Sequence, residues 1–153
     1  MKRILLQTVA CLIALNGCAI LLAAQTESSR LPNESLDDFG KSSPNFIRAR
    51  LDNLFYYLTE QAPKYEGLIV ITFDKKSSRN YRISRIRLLL EHIKFRQFDA
   101  TRISFYFLPD RDQERTIVWT IPPGFSDYGD IGVDPSKFIK AEEISSKLKT
   151  LFH

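Results

Sequence analysis

Cysteine is nearly missing from this chain. Its 153 residues hold two, Cys11 and Cys18, and both fall within the first 24 positions. Everything after that point must fold without disulfides or thiol chemistry, so a hydrophobic core has to supply its stability. Histidine is equally scarce, with only His92 and His153. Neither has sequence neighbours that would build a triad or a metal site. There is no His/Cys cluster, no phosphate-binding Walker loop and no G-x-G-x-x-G turn. Acid pairs exist, Asp37-Asp38 and Glu142-Glu143, but they sit in polar stretches and read as solvating charge. General acid–base work needs two groups opposed across a cleft. The expectation is a non-enzymatic domain with no cofactor and no metal.

What is present begins with an apolar leader. Met1–Arg3 is basic, and Ile4 to Ala24 is then almost wholly apolar. This reads as a secretory signal peptide over residues 1–24. A membrane anchor would need about 20 apolar residues, and Gln7, Thr8 and Asn16-Gly17 interrupt the run. Two processing points stay open. Leu22-Ala23-Ala24 before Gln25 suits an ordinary signal peptidase. Leu15-Asn16-Gly17-Cys18 is similar to a bacterial lipobox, in which Cys18 would carry lipid. Contact with a membrane is expected only through the signal or that lipid. An exported, periplasmic or cell-envelope protein is expected, with an extracellular location left open.

Removal of the leader takes Lys2 and Arg3 away, so the net charge falls from +4 to +2, with 20 basic and 18 acidic residues left. Lys75 to Arg96 alone holds eight cations and one acid. The rest is acidic, which makes one basic region on an acidic body rather than a general nucleic-acid binder. Export also argues against nucleic acid.

Residues 25–44 are rich in Ser, Asn, Asp and Glu and read as a flexible linker. A folded domain follows over 45–124. Ser43-Pro44 starts a helix, and Ile47, Leu51, Leu54, Phe55 and Leu58 give its apolar stripe up to Pro63. "LIVITF", Leu68–Phe73, suits a strand buried on both faces. Ser77-Ser78 offers caps for a second helix reaching about Phe95, with Ile83, Ile86, Leu90 and Ile93 facing the core. "RISFYFL" (Arg102–Leu108) and "TIVWTI" (Thr116–Ile121) are further strands. Strand–helix–strand makes a right-handed parallel pair, and the short loop 109–114 makes the last strand an antiparallel neighbour. The fold class is α/β: a two-layer unit with a mixed sheet and two helices on one face. Residues 125–153 add a loop and an amphipathic helix from Asp134-Pro135 to Leu151, striped by Phe138, Ala141, Ile144, Leu148 and Leu151. It docks on the body, or else meets a partner or a membrane surface.

The best candidate site is "FDKKSSRNYRISRIR", Phe73–Arg87. It leaves a buried strand and enters a helix, and open α/β sheets bind ligands beyond the carboxyl ends of their strands. A helix N-terminus adds N–H groups and a positive dipole. Asp74, Arg79, Arg82 and Arg85 form the expected ligand-binding set. Arg87 and Lys94 lie on the opposite flank. The competing reading is a solvated basic helix surface, or one that meets an acidic protein partner. The aromatics of "ISFYFL" are explained by core packing rather than base stacking.

Five stretches together resemble a family of exported bacterial proteins of uncharacterised function. They are "LDDFG" (Leu36–Gly40), "RARLDNL" (Arg48–Leu54), "GLIVI" (Gly67–Ile71), "DATRI" (Asp99–Ile103) and "VWTIPPG" (Val118–Gly124). That family is itself similar to the OmpA-like peptidoglycan-binding domain. The resemblance implies an OmpA-like βαβαβ-type sandwich, with Asp37–Gly40 adding a short strand. It further implies binding to peptidoglycan or another anionic envelope component. Asp74 would match the family's strand-end aspartate, accepting from an ammonium, and Arg85 its helix arginine, gripping a carboxylate.

Overall fold

The computed structural model describes residues 35–152. The leader, Cys11, Cys18, most of the expected linker and His153 lie outside these residues. Ser43 caps the first helix by accepting from the Phe46 amide, and Pro44 occupies its first turn, where no N–H is missed. This helix, α1 (Pro44–Tyr56), widens into a π-helical turn at Tyr57–Gln61. Ile47, Leu51, Leu54, Phe55 and Leu58 are its buried positions, as their spacing requires. Ser78 caps the second helix, α2 (Arg79–Phe95), through the Tyr81 amide. It stops where Gln97 turns left-handed, with φ at 53°.

The strands are β1 (Asp37–Phe39), β2 (Glu66–Thr72), β3 (Ile103–Phe107), β4 (Arg115–Ile121) and β5 (Ile139–Lys140), and a short helix α3 (Ala141–Lys147) follows. They form one five-stranded sheet in the order β1-β4-β2-β3-β5. β2 and β3 run parallel and the other pairings are antiparallel. The protein is therefore a mixed α/β domain with a five-stranded mixed sheet and three helices. β2 sits at the centre and is buried on both faces. Ile69, Ile71 and Phe73 join Phe105, Val118 and residues of all three helices in the main core. Leu68 and Val70 point the other way, into a second cluster with Tyr106, Ile121, Phe125 and Val133.

Two expectations need correction. The span read as a linker contains β1. One inward residue, Phe39, and backbone pairing with β4 hold it there, and composition does not register backbone pairing. Residues 125–152 pack on the same body, which is the first of the fates expected for them. The stretch from Phe125 to Phe138 covers the second sheet face through an edge-to-face aromatic series, Phe125–Tyr128–Phe138–Tyr106, so the helices and sheet are joined by a third, irregular layer. The single helix expected over 134–151 is broken. Asp134 caps a turn of 3-10 helix at Pro135–Lys137, and Ile139 pairs with Phe105 in the sheet. Helix resumes only at Ala141, placing Ala141, Ile144 and Leu148 in the main core while Phe138 serves the other face.

The buried face of α2 is also rotated from the expected stripe. Arg85, Ile86, Leu89, His92 and Ile93 are buried, whereas Ile83 and Leu90 are only partly covered. Leu88-Leu89-Leu90 is apolar around half a turn, so periodicity alone does not choose among the three. The choice admits an arginine to the interior, which the site must account for.

Gly67 sets how closely α1 lies on β2. A Cβ there would stand 2.7 Å from the Ile103 side chain and 3.2 Å from that of Leu54. Gly67→Ala should lower unfolding free energy by about 1–3 kcal/mol, read as a drop in urea midpoint. An unchanged midpoint would show that the layers have slack here.

Candidate functional site

β2 ends at Thr72, and the following Phe73-Asp74 runs beside the loop that leads into β4. Lys75 N donates to Arg111 O at 2.9 Å and Arg111 N to Phe73 O at 3.0 Å, so the two segments are stitched together. Asp74 closes its own turn, with Oδ1 accepting from the Lys76 amide at 2.7 Å and its carbonyl from the Ser77 amide at 2.9 Å. These bonds bring the chain to Ser78 and start α2.

The four residues expected to share a ligand do not converge. Arg79 turns to the C-terminal segment, donating from Nε to Phe152 O at 2.8 Å and from Nη2 to Lys149 O at 2.7 Å. Arg82 forms a fork with Asp110, at 3.0 and 2.6 Å, and also donates to the carbonyls of Ser77 and Asp74. Its guanidinium lies over the Phe73 ring. Both arginines are engaged in holding loops. Asp74 and Arg85 remain, and Arg85 is occupied by a residue that sequence reasoning left in a polar loop.

That residue is Glu114. Arg85 Nε stands 3.2 Å from Glu114 Oε1, and the two side chains are 3% and 2% exposed. Tyr81 donates its hydroxyl to Glu114 Oε2 at 2.7 Å, and Phe39 lies under the guanidinium. Burial pulls the Arg85 guanidinium below its usual value, while Glu114 opposes that shift. Burial, and then the bond to Glu114, push the Tyr81 phenol up to about 12. The pair is close but poorly aligned. Arg85 Nε, Arg85 Nη2 and Glu114 Oε1 are buried without a hydrogen bond, although the Nε–Oε1 separation is short. Attraction between the charges survives poor alignment, but hydrogen-bond energy falls steeply with angle. The pair is thus electrostatically matched and under-bonded.

Two cavities flank it. One, of about 300 Å³, is lined by Gly40, Lys41, Asp74, Ser77, Gln113 and Glu114. The other, of about 450 Å³, lies between the start of α1 and the stretch of α2 from Tyr81 to Glu91. Arg85, Tyr81, Lys41 and Arg87 border it with the apolar Ile47 and Leu88. Lys41 lines both and rests over the Tyr81 ring at 5.3 Å. The strand-end carboxylate and the buried guanidinium therefore open onto adjacent spaces rather than one. Glu114, Tyr81 and Lys41 were not found from sequence. A usable signal existed: Arg85 lies in phase with Ile86 and Leu89, and an arginine on a buried stripe needs an acid. The loop acids at 110, 112 and 114 are the nearest supply.

Elsewhere Asp52 ties α1 to α2. His92 Nε2 lies 2.7 Å from its Oδ1, and Arg96 donates to both oxygens. The groove there, of about 580 Å³, presents polar groups already paired with one another. Among the described residues no group of three or more His, Cys, Asp or Glu is placed to hold a metal ion. No described helix is long and apolar enough to cross a membrane.

The fold defines a mixed α/β domain with a polar site at the end of its central strand. The chain matches no protein-family model, no curated protein and no solved structure.

Tyr81 supplies a pH test. A group whose folded pKa is raised contributes stability that is complete below its unfolded value, near 10, and is lost as pH rises through the folded value, about 12. Stability should decline across that window. Tyr81→Phe should remove its share of the decline, measured as the difference between the two proteins' urea midpoints from pH 9 to 11.5. Parallel curves would mean that the phenol is not held by Glu114.

Proposed function

We propose that this protein is an exported, non-enzymatic envelope-binding domain whose ligand carries both an ammonium and a carboxylate, as the stem peptides of peptidoglycan do. The observation that carries the proposal is the under-bonded Arg85–Glu114 pair, set between two cavities with Asp74 lining one of them. Buried polar groups are nearly always hydrogen-bonded, and a pair left open in this way calls for an explanation, of which a functional role is one. The cavities differ in the sense such a ligand requires. Two acids, Asp74 and Glu114, face one cation, Lys41, in the smaller one; three cations, Arg85, Lys41 and Arg87, face one acid, Glu91, in the larger.

The element order supports an OmpA-like reading as well. A parallel β2–β3 pair, an antiparallel β4 inserted beside β2 and helices packed on one face agree with a βαβαβ-type sandwich. Fold analogy says little about ligand by itself, so the residues carry the weight. Of the four expected site residues, Asp74 and Arg85 are retained, and Lys41 replaces Arg79 and Arg82. The export half of the proposal rests on the apolar leader.

A second reading, docking of an acidic protein on the basic side of α2, is favoured by one feature. Phe95 is 74% exposed, next to Lys94, and neither Arg87 nor Lys94 forms an ion pair among the described residues. Such docking would weaken steeply with salt.

Sedimentation with purified sacculi separates the two. The full mature chain should co-sediment at both 50 mM and 500 mM salt, and Asp74→Ala should reduce retention about tenfold or more, as expected for loss of a charged hydrogen bond. Wild-type protein left in the supernatant would contradict the peptidoglycan proposal.

A further inference from the structure

Glu114 is placed where a ligand's carboxylate would otherwise sit. It pairs with Arg85 inside the protein and lines the smaller cavity, whereas Arg85 lines the larger. A guanidinium takes a carboxylate best as a fork, with two parallel N–H···O bonds. Arg85 achieves nothing of the kind with Glu114: Nε and Nη2 are both without a hydrogen bond, as is Glu114 Oε1. One firm bond retains Glu114 in this position, from the Tyr81 hydroxyl to Oε2 at 2.7 Å. A buried charge cannot be left alone, so Arg85 requires some carboxylate at all times. It does not require this one.

Resting on the zwitterion reading above, we infer that Glu114 is a tethered stand-in for the ligand's carboxylate, and that binding is an exchange. The incoming carboxylate enters the larger cavity and takes the Arg85 fork. Glu114 is released toward the smaller cavity, where it joins Asp74 in receiving the ammonium. Arg85 is neutralised before and after, so no step leaves a lone buried charge. Lys41 lines both spaces and lies against Tyr81. It attracts the carboxylate on one side and moves with the ring when Glu114 leaves. The exchange makes the two halves of the site interdependent. A carboxylate alone must displace Glu114 without compensation, and an amine alone finds Glu114 turned away. A ligand bearing both completes the swap.

Calorimetric titration of the full mature chain with acetate, methylammonium and diaminopimelate tests this. In wild type, saturating acetate should raise methylammonium affinity about fivefold or more, and the reverse by the same factor, since coupling between two sites is reciprocal. Diaminopimelate should bind at least about tenfold more tightly than either probe. Glu114→Gln should tighten acetate by about tenfold and abolish the coupling. Tyr81→Phe, which removes only the retaining bond, should tighten acetate severalfold and keep the coupling. If Glu114→Gln fails to fold, Tyr81→Phe decides alone. Unchanged acetate affinity in folded Tyr81→Phe, or an absence of coupling in wild type, overturns the exchange. Coupling seen in a protein that ignores sacculi leaves the exchange standing and removes peptidoglycan. Sacculus binding without coupling does the opposite.

Discussion

An arginine inside the apolar layer between sheet and helices is the constraint around which this end of the molecule is built. A guanidinium taken from water needs an opposite charge at close range, because the desolvation penalty of a lone ion exceeds what packing can return. Arg85 stands on the buried face of α2 beside Ile86 and Leu89, and Glu114 meets it from the start of β4. That requirement sets the rotation of α2, draws the loop before β4 inward and gives Tyr81 its partner. It also gives Phe39 of β1 a role beneath the guanidinium. Three separate segments, α2, the loop before β4 and β1, are thereby fixed by one charge. The same pair is under-bonded, so it ties the segments together through charge more than through directed hydrogen bonds.

The remaining arginines show a consistent division of labour. Arg79 holds carbonyls at the end of the C-terminal segment, where Phe152 packs edge-on against Phe73 and Phe107. Arg82 gathers Asp110 and two loop carbonyls. Arg96 joins α2 to α1 through Asp52, Arg102 ties the carbonyls of Leu58 and Tyr65, and Arg115 pairs with Asp38 across the β4–β1 edge. Guanidinium groups suit this work because one side chain can satisfy several acceptors in a fixed plane. With no cysteine among the described residues, these groups take up the free acceptors of loops that no disulfide anchors. The basic run that stands out in the sequence is largely internal bracing.

The main elements were legible because their signals are local. Ser43-Pro44 and Ser78 mark helix starts through bonds made within three residues, and the β-branched run at 68–73 needs no distant information to read as a central strand. The parallel β2–β3 pair and the antiparallel β4 follow from connection lengths. What was not legible depended on partners far along the chain. β1 has only Phe39 to announce it in its own composition; the family resemblance implied a strand there, and the strand exists through pairing with β4, some 80 positions away. The break at Phe138–Lys140 depends on Ile139 finding Phe105. The site failed in the same manner. Spacing placed Arg79, Arg82 and Arg85 near one another along α2, and they are, but which acceptor each reaches is decided by loops at 109–114 and 149–152. Proximity along a helix suggests convergence on a ligand, whereas the three neighbouring side chains reach three separate sets of acceptors.

The most direct test is a double-mutant cycle on Arg85 and Glu114, using Arg85→Met, Glu114→Gln and the double variant, with unfolding free energies from urea titration. Each single change leaves one buried charge without its partner, and the double change leaves none. The account predicts that each single variant is destabilised by about 3–5 kcal/mol. It predicts that the double variant recovers enough of this for a coupling energy of about 2 kcal/mol or more. Additive effects, with coupling near zero, would mean that the two charges do not depend on one another, and would contradict both the constraint and the site built on it.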